Sequence, residues 1–202
     1  MRNSPSQLST AIGRIGELDW DSLDVAHRDV STIFAALDVE SLLGELRAGF
    51  TEIADARGSA EKTTHYKWLL GKDEPAERFE VWLHEYKPST HRREGHASVP
   101  HNHRFWLTSV ILKGGFTDTR FERAPSESDR LIAPSKVRTM SRGDTMVIAP
   151  EEIHALSELR DGTFSLIVQS KKTRDYSEVF EGGEVRRYLD LDAKAADTQA
   201  SI

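Results

Sequence analysis

The periodicity of the apolar residues changes once along this chain, near residue 60, and this change constrains the fold more than any other feature. Before it, apolar residues recur three to four apart, as in Val30, Ile33, Phe34 and Leu37. This spacing predicts two or three amphipathic helices within residues 5–57. After it, short runs rich in aromatic and β-branched residues alternate with turn signals, which predicts strands. We therefore expect a mainly β fold with an N-terminal helical extension.

The predicted strands are short and regularly spaced. Lys113-Gly114-Gly115 is expected to close a hairpin between two of them, and a second hairpin region is expected around Asp161-Gly162. Several short strands separated by turns are typical of a sandwich or a closed barrel, the jelly roll included. The segments are HYKWLL (65–70), RFEVWLHEY (78–86), RFWLTSVIL (104–112), FTDTRFE (116–122), TMVIAP (145–150), HALSEL (154–159), TFSLIVQS (163–170) and EVRRYLDL (184–191).

A chain of 202 residues is long enough for one domain with a substantial core and short for two. We divide it into a helical extension over residues 1–60, a β-barrel over 61–192 and a disordered tail over 193–202. The polar, proline-bearing stretch 124–136 is expected to be a loop.

Composition excludes several classes of function. The 27 basic and 33 acidic residues give a net charge of −6 with no basic stripe, so we expect no nucleic-acid partner. The absence of cysteine rules out disulfides, thiolate ligands and a cysteine nucleophile. No stretch approaches the roughly 20 apolar residues of a membrane helix. The N-terminus lacks the basic start and apolar core of a secretion signal, so a cytoplasmic location is expected.

Three of the eight histidines form a candidate metal site. His101 and His103 lie two apart at the start of a predicted strand, where alternate residues point the same way, so both can bind one ion. A metal needs further ligands that converge from elsewhere in the fold, typically three or more in all. His154 is the candidate, because it follows a Gly-Asp turn and a strand and opens the next strand.

The segments that carry these histidines resemble the two motifs of the cupin superfamily. Gly95, followed by HNH at 101–103 and a glycine at 114 or 115, resembles the first motif. GDTMVIAPEEIH (143–154) resembles the second, with its proline one place late. The resemblance covers roughly residues 65–170 and implies a cupin jelly-roll β-barrel with one divalent metal on His101, His103 and His154.

The usual cupin adds a glutamate four or five residues after the second histidine, where this sequence has Leu107 and Thr108. Only one of these two can point into the barrel, and the other is expected at the surface. The remaining neutral face resembles that of the three-histidine thiol dioxygenases, such as cysteine dioxygenase. The order of HYKWLL, RFEVWLHEY and PHNH, and the 51-residue step from His103 to His154, also match that subfamily.

This second resemblance implies a mononuclear non-haem Fe(II) dioxygenase. Three neutral ligands leave up to three open positions and the full +2 charge, which favours an anionic substrate bound beside O₂. Of the serine, histidine and tyrosine that cysteine dioxygenases carry after the third ligand, only Ser165 matches, since Ile167 and Gln169 hold the other two positions. The substrate is therefore expected to be a small anionic metabolite other than cysteine.

The resemblance also indicates where such a substrate binds. The carboxylate-binding arginine of the subfamily falls near Tyr66-Lys67-Trp68, where only Lys67 is cationic. Tyr66, Lys67 and Gln169 are the candidate catalytic residues, and Arg104 is a further candidate to hold a carboxylate. Lys67, Arg104 and Gln169 are each equally readable as an exposed charge or an outward strand position. Whether His84 or His96 contributes stays open.

Two alternatives remain at this point. Zn, Mn or Ni in the same site would suit an isomerase, a decarboxylase or a hydrolase that polarises a carbonyl group. A non-catalytic cupin that binds a ligand for a partner protein is the third hypothesis. The expected partners of the leading hypothesis are a small-molecule substrate and O₂, with no membrane partner, and both a monomer and a homodimer stay open.

Overall fold

The computed structural model describes residues 6–92, 96–123 and 132–189. Three helices come first, as the apolar spacing predicts. The Ser6 hydroxyl accepts a hydrogen bond from the Ser9 amide at the start of the first helix, and the Asp38 carboxylate caps the third in the same way. The helices are α1 (Gln7–Gly16), α2 (Leu23–Ala35) and α3 (Val39–Ile53). No helix in these ranges is long and apolar enough to cross a membrane.

Strands make up most of the remaining described chain, with one short 3-10 helix at His96–Ser98. They are β1 (Asp55–Glu61), β2 (His65–Lys72), β3 (Phe79–Tyr86), β4 (Leu107–Lys113), β5 (Gly115–Arg123), β6 (Ile132–Ser141), β7 (Thr145–Ile148), β8 (Ile153–Ser157), β9 (Phe164–Ser170), β10 (Ser177–Glu181) and β11 (Glu184–Tyr188).

These strands form two facing antiparallel sheets and a separate hairpin. The larger sheet has the order β1-β2-β3-β9-β4-β7 and the smaller has the order β6-β5-β8, while β10 pairs with β11. Tyr86 and Ile111 of the larger sheet pack against Phe116 and Leu156 of the smaller one, so the two sheets enclose a common interior. The expected mainly β jelly roll with an N-terminal helical extension is confirmed.

The predicted hairpin at Lys113-Gly114-Gly115 is wrong. β4 pairs with β7 and β9, whereas β5 pairs with β6 and β8, so the two strands belong to different sheets. Gly114 and Gly115 have φ angles of 76° and 149°, and a side chain at Gly115 would overlap the Met140 carbonyl oxygen. The glycines therefore allow the chain to cross sharply from one sheet to the other. Such a crossing has the same residue preference as a hairpin turn.

The second predicted hairpin region is also wrong, because β7, β8 and β9 do not pair with one another. β7 lies beside β4, β8 beside β5, and β9 between β3 and β4. A turn signal marks where a strand ends. It does not identify the neighbouring strand, which in a jelly roll belongs to a distant part of the sequence.

Several predicted boundaries shift in the structure. β1 pairs with β2 from Asp55, so the sheet begins before the boundary drawn at residue 60. Residues 132–136 form the start of β6 and are not a loop. Residues 124–131, like the tail over 193–202, lie outside the described ranges, as does Gly95 of the first motif.

The alternation of side chains on the larger sheet separates a helix-facing side from an interior side. Leu83, Val110 and Val168 point outward and pack with residues of all three helices, including Leu8, Val30 and Leu42. On the opposite face of the same strands, Trp82, Leu107 and Ile167 point inward and form a separate apolar cluster. This division determines which residues of β2, β3, β4 and β9 can reach the histidines.

Candidate metal centre

His101, His103 and His154 converge inside the barrel. One ring nitrogen from each lies within 4.8 Å of the others, and the Nε2 atoms of His103 and His154 are 3.0 Å apart. The backbones of His101 and His154 exchange two hydrogen bonds of 2.9 Å, which fixes the loop before β4 against β8. Among the described residues, no carboxylate joins this cluster.

The outward nitrogens of two of these rings are already engaged. His101 Nδ1 lies 2.8 Å from the Val99 carbonyl oxygen, and His154 Nδ1 lies 2.9 Å from Asp118 Oδ1. Because both partners accept, each Nδ1 carries the proton and each Nε2 keeps its lone pair for the cluster. Metal-binding histidines in proteins are held in this way, so the residues fit a divalent ion.

Asp118 is a site residue that the sequence analysis missed. Its other oxygen accepts a 2.6 Å hydrogen bond from Arg120 Nε, and Arg120 also contacts Glu152 at 3.1 Å. Burial alone would raise the pKa of the Asp118 carboxyl, but the hydrogen bond from His154 and the Arg120 charge hold that pKa below its usual value. The alternation of Asp118 and Arg120 on one face of FTDTRFE is the signal that could have indicated this pair.

Asn102 and Glu178 hold the HNH segment from behind. Asn102 Nδ2 donates to Glu178 Oε2 at 2.9 Å, and the Glu178 amide donates to Asn102 Oδ1 at 2.7 Å. Arg123 adds a 2.7 Å ion pair to the same buried carboxylate. The side chain between the two histidines therefore anchors them to β10. No sequence signal links Asn102 to Glu178, because 76 residues separate them.

Two of the three candidate catalytic residues meet near the cluster. Lys67 Nζ donates to Gln169 Oε1 at 3.2 Å and lies 3.9 Å from the centroid of the inward-facing Trp82 ring. Burial, and then the charges of the other two histidines, of Lys67 and of Arg120, hold the pKa of His103 well below its usual value. Lys67 therefore contributes positive charge at the histidine cluster.

The structure does not bring Tyr66 to this group. On a strand, neighbours face opposite sides, and Tyr66 stacks on Trp68 with ring centroids 5.8 Å apart. Trp68 packs against Phe50 of α3, so both rings lie on the helix-facing side. Arg104 donates to the Asp175 carbonyl oxygen at 3.3 Å. The side chain of His96 lies outside the described part of the structure.

Leu107 and Thr108, the two positions for the usual cupin glutamate, are now distinguished. Leu107 points inward and packs with Trp82 and Ile167. Thr108 points outward, but it is fully buried under α2, where its hydroxyl donates to the His27 carbonyl oxygen at 3.0 Å. The expectation that the outward position is a surface position is therefore wrong, because the helical layer covers this side of the sheet.

Comparisons with known proteins return likeness of fold only. No family model and no curated protein matches the sequence. The DMSP lyases RdDddP and RnDddQII align over 76% of this chain and 71% of theirs, with 15% identity and a TM-score of 0.45. A variant of Bacillus subtilis oxalate decarboxylase aligns over 62% of this chain, with 16% identity and a TM-score of 0.42. The Schizosaccharomyces pombe Cnp3 cupin domain aligns over 57%, with 13% identity and a TM-score of 0.38.

The chain spans only 29% of the oxalate decarboxylase and 69% of the Cnp3 domain. TM-scores below 0.5 at such identities carry no argument about activity. The site itself offers three neutral imidazole nitrogens and a nearby cationic side chain, Lys67. Such a site can hold a divalent metal together with a small anion.

Proposed function

We propose that this protein is a metal-dependent cupin enzyme, and specifically a mononuclear non-haem Fe(II) dioxygenase that acts on a small anionic metabolite other than cysteine. One observation carries the proposal. Three histidine nitrogens converge and, among the described residues, no carboxylate oxygen joins them as a further ligand atom, while the charge of Lys67 acts on the same cluster. A neutral ligand set leaves coordination positions for both substrate and O₂.

His101, His103 and His154 would hold the metal, which when bound would supply the one-electron and O₂ chemistry that protein side chains lack. Asp118 keeps the His154 ring in the orientation and tautomer that such binding requires, through its 2.9 Å hydrogen bond to Nδ1. Asn102 and Glu178 fix the segment that carries the other two ligands.

Lys67 and Gln169 are proposed to bind the anionic group of the substrate. Lys67 lies against the inward face of Trp82, and its ammonium group has Gln169 as a neutral partner. A carboxylate bound here could therefore accept hydrogen bonds from both side chains. The apolar side chains of Leu107, Ile148 and Ile167 line the same interior and limit the access of water.

The experiment is O₂ consumption by protein reconstituted with Fe(II), measured over a panel of thiols, amino acids and oxo acids. We expect uptake with one class of small anion and a clear loss of uptake in Lys67→Met. Lys171→Met, which removes an exposed lysine, is the matched control and is expected to behave like the native protein. No uptake with any member of the panel would contradict the dioxygenase proposal.

A second candidate keeps the metal and drops O₂. Pairs of a carboxylate and a histidine like Asp118 and His154 also orient ligands in zinc sites, and zinc accepts three histidines plus water. With Zn, Mn or Ni, the site would suit an isomerase, a decarboxylase or a hydrolase. Elemental analysis of protein purified without added metal separates this candidate from the iron enzyme.

A further inference from the structure

Three polar side-chain atoms are buried on the inner side of the larger sheet and make no well-aligned hydrogen bond to another described residue. They are His84 Nε2, Ser109 Oγ and Ser165 Oγ, and we call these three residues the inner polar strip. Ser109 and Ser165 are each only 1% exposed. Burial of a polar atom without a partner is unfavourable, so His84 Nε2 and Ser109 Oγ indicate that a ligand or water completes them, whereas Ser165 Oγ also interacts with the Tyr86 hydroxyl.

The register of the strands places the three residues next to one another. His84 on β3 lies directly opposite Ser165 on β9. Ser109 on β4 lies opposite Ile167, two residues further along β9. The outward neighbours Leu83, Val110 and Leu166 pack with the helices, so the strip itself faces the barrel interior.

The strip occupies the boundary between two apolar clusters. Ile111, which is opposite Ser165, belongs to the cluster that packs the two sheets together. Ile167 and Trp82 belong to the cluster around Leu107. The interior is therefore apolar on both sides of the strip, and His84 retains part of its exposure although its Nε2 is covered.

The strip is close to the groups that the proposed function uses. Lys67 lies opposite His84 on β2, and the Lys67 ammonium group reaches Gln169. Burial, and then the charges of His65, Lys67, His103 and Lys62, hold the pKa of His84 well below its usual value, which favours the neutral ring. The strip thus offers uncharged donors and acceptors beside the Lys67 ammonium group.

We propose that His84, Ser109 and Ser165 bind an uncharged oxygen of the substrate, so that the substrate is a small hydroxy- or oxo-carboxylic acid. This rests on the proposed function, since Lys67 and Gln169 take its carboxylate. An ammonium group at the same place would lie beside the Lys67 cation, which disfavours amino acids. A plain alkyl chain would leave His84 Nε2 and Ser109 Oγ without partners.

The test is calorimetric binding to the full chain loaded with redox-inert Zn²⁺, with four matched three-carbon acids as probes: lactate, pyruvate, propionate and alanine. Native protein is expected to bind lactate or pyruvate about fivefold or more tightly than propionate and alanine. In His84→Phe, which keeps a flat ring of similar size, this preference should fall to within about twofold.

Ser165→Ala and Ser109→Ala test the same contact with smaller changes, so a folding defect in His84→Phe does not remove the test. Ser31→Ala, on α2 outside the barrel, is the matched control and should keep the native preference. Lactate can also chelate the metal, but this part of its affinity would be the same in the native protein and in all of these variants. A preference that is absent in the native protein, or unchanged in all three strip variants, would overturn the inference and leave the Lys67 site intact. Failure of all four acids to bind would overturn the anion site of the proposed function, and the inference with it.

Discussion

At the scale of single residues, the partners of the histidines matter as much as the histidines. His154 is held by Asp118, which is itself held by Arg120. Asp118 lies 36 residues before His154, so no local pattern connects them. The sequence indicated His101, His103 and His154 because a motif with fixed spacing carries them. It did not indicate Asp118 or Glu178, whose contacts exist only after the sheets pack.

Asp118→Asn is predicted to weaken metal binding about 10- to 100-fold while the protein stays folded. The amide is neutral and lowers the basicity of His154, and it also leaves Arg120 without its main counter-charge. Metal dissociation constants from chelator competition provide the measurement. Asp24→Asn, an exposed aspartate on α2, is the control. Native metal affinity in Asp118→Asn would show that the carboxylate does not support the site.

At the scale of elements, β4 links the helical layer to the interior. Its residues alternate between Thr108 and Val110, which face the helices, and Leu107 and Ser109, which face the barrel. Periodicity predicted the strand and the helices well, because apolar spacing is a local property. It could not predict that β4 pairs with β7 and β9, because β5 and β6, which belong to the other sheet, separate β4 from both partners in the sequence.

Glutamate placed on the two sides of β4 is predicted to have opposite effects. Leu107→Glu puts a carboxylate on the interior side, so we expect tighter metal binding and lower activity, because a fourth protein ligand fills a position needed for substrate or O₂. Thr108→Glu buries an unpaired charge beside His27, so we expect about 3–5 kcal/mol of destabilisation and unchanged metal affinity in the folded fraction. Urea unfolding and chelator competition measure the two effects, and equal behaviour of both variants would contradict the assignment of faces.

The contact between α2 and β4 is predicted to make stability depend on pH. Thr108 Oγ1 donates to the His27 carbonyl oxygen, so it accepts from His27 Nδ1 at 2.8 Å, and Nε2 is buried without a partner among the described residues. Burial lowers the pKa of His27 from 6.5 to about 4. As pH falls, His27 therefore takes up a proton in the unfolded chain before it does so in the folded protein. The contribution of neutral, buried His27 to the free energy of unfolding is complete above pH 6.5 and declines as pH falls towards 4.

Between pH 7 and pH 5, His27 should account for a loss of about 2 kcal/mol in the free energy of unfolding. His27→Phe removes the titrating group and keeps the Thr108 hydrogen bond to the backbone. Between pH 7 and pH 5, its free energy of unfolding should therefore fall by about 2 kcal/mol less than that of the native protein. His91→Phe, at an exposed position, should keep the native dependence. Parallel pH profiles for the native protein and His27→Phe would contradict the assignment.

At the scale of the whole molecule, two sheets bring together residues that are far apart in sequence. The smaller sheet contributes His154 and Asp118, the larger sheet contributes Lys67 and Gln169, and the loop before β4 contributes the HNH segment. The sequence predicted the barrel and its three histidines. It could not predict that Tyr66 faces the helices, because the register of β2 depends on its pairing with β3.

The most direct test of this account is the metal content of the purified full chain, measured by mass spectrometry after dialysis against a weak chelator. We expect close to one divalent ion per chain in the native protein and in His91→Ala. His101→Ala, His103→Ala and His154→Ala should each lose tight metal binding and keep a cooperative unfolding transition. The apolar residues between the helices and the larger sheet, and those between the two sheets, do not include these histidines. Full metal occupancy in any of these three variants would show that the replaced histidine is not a ligand of the metal.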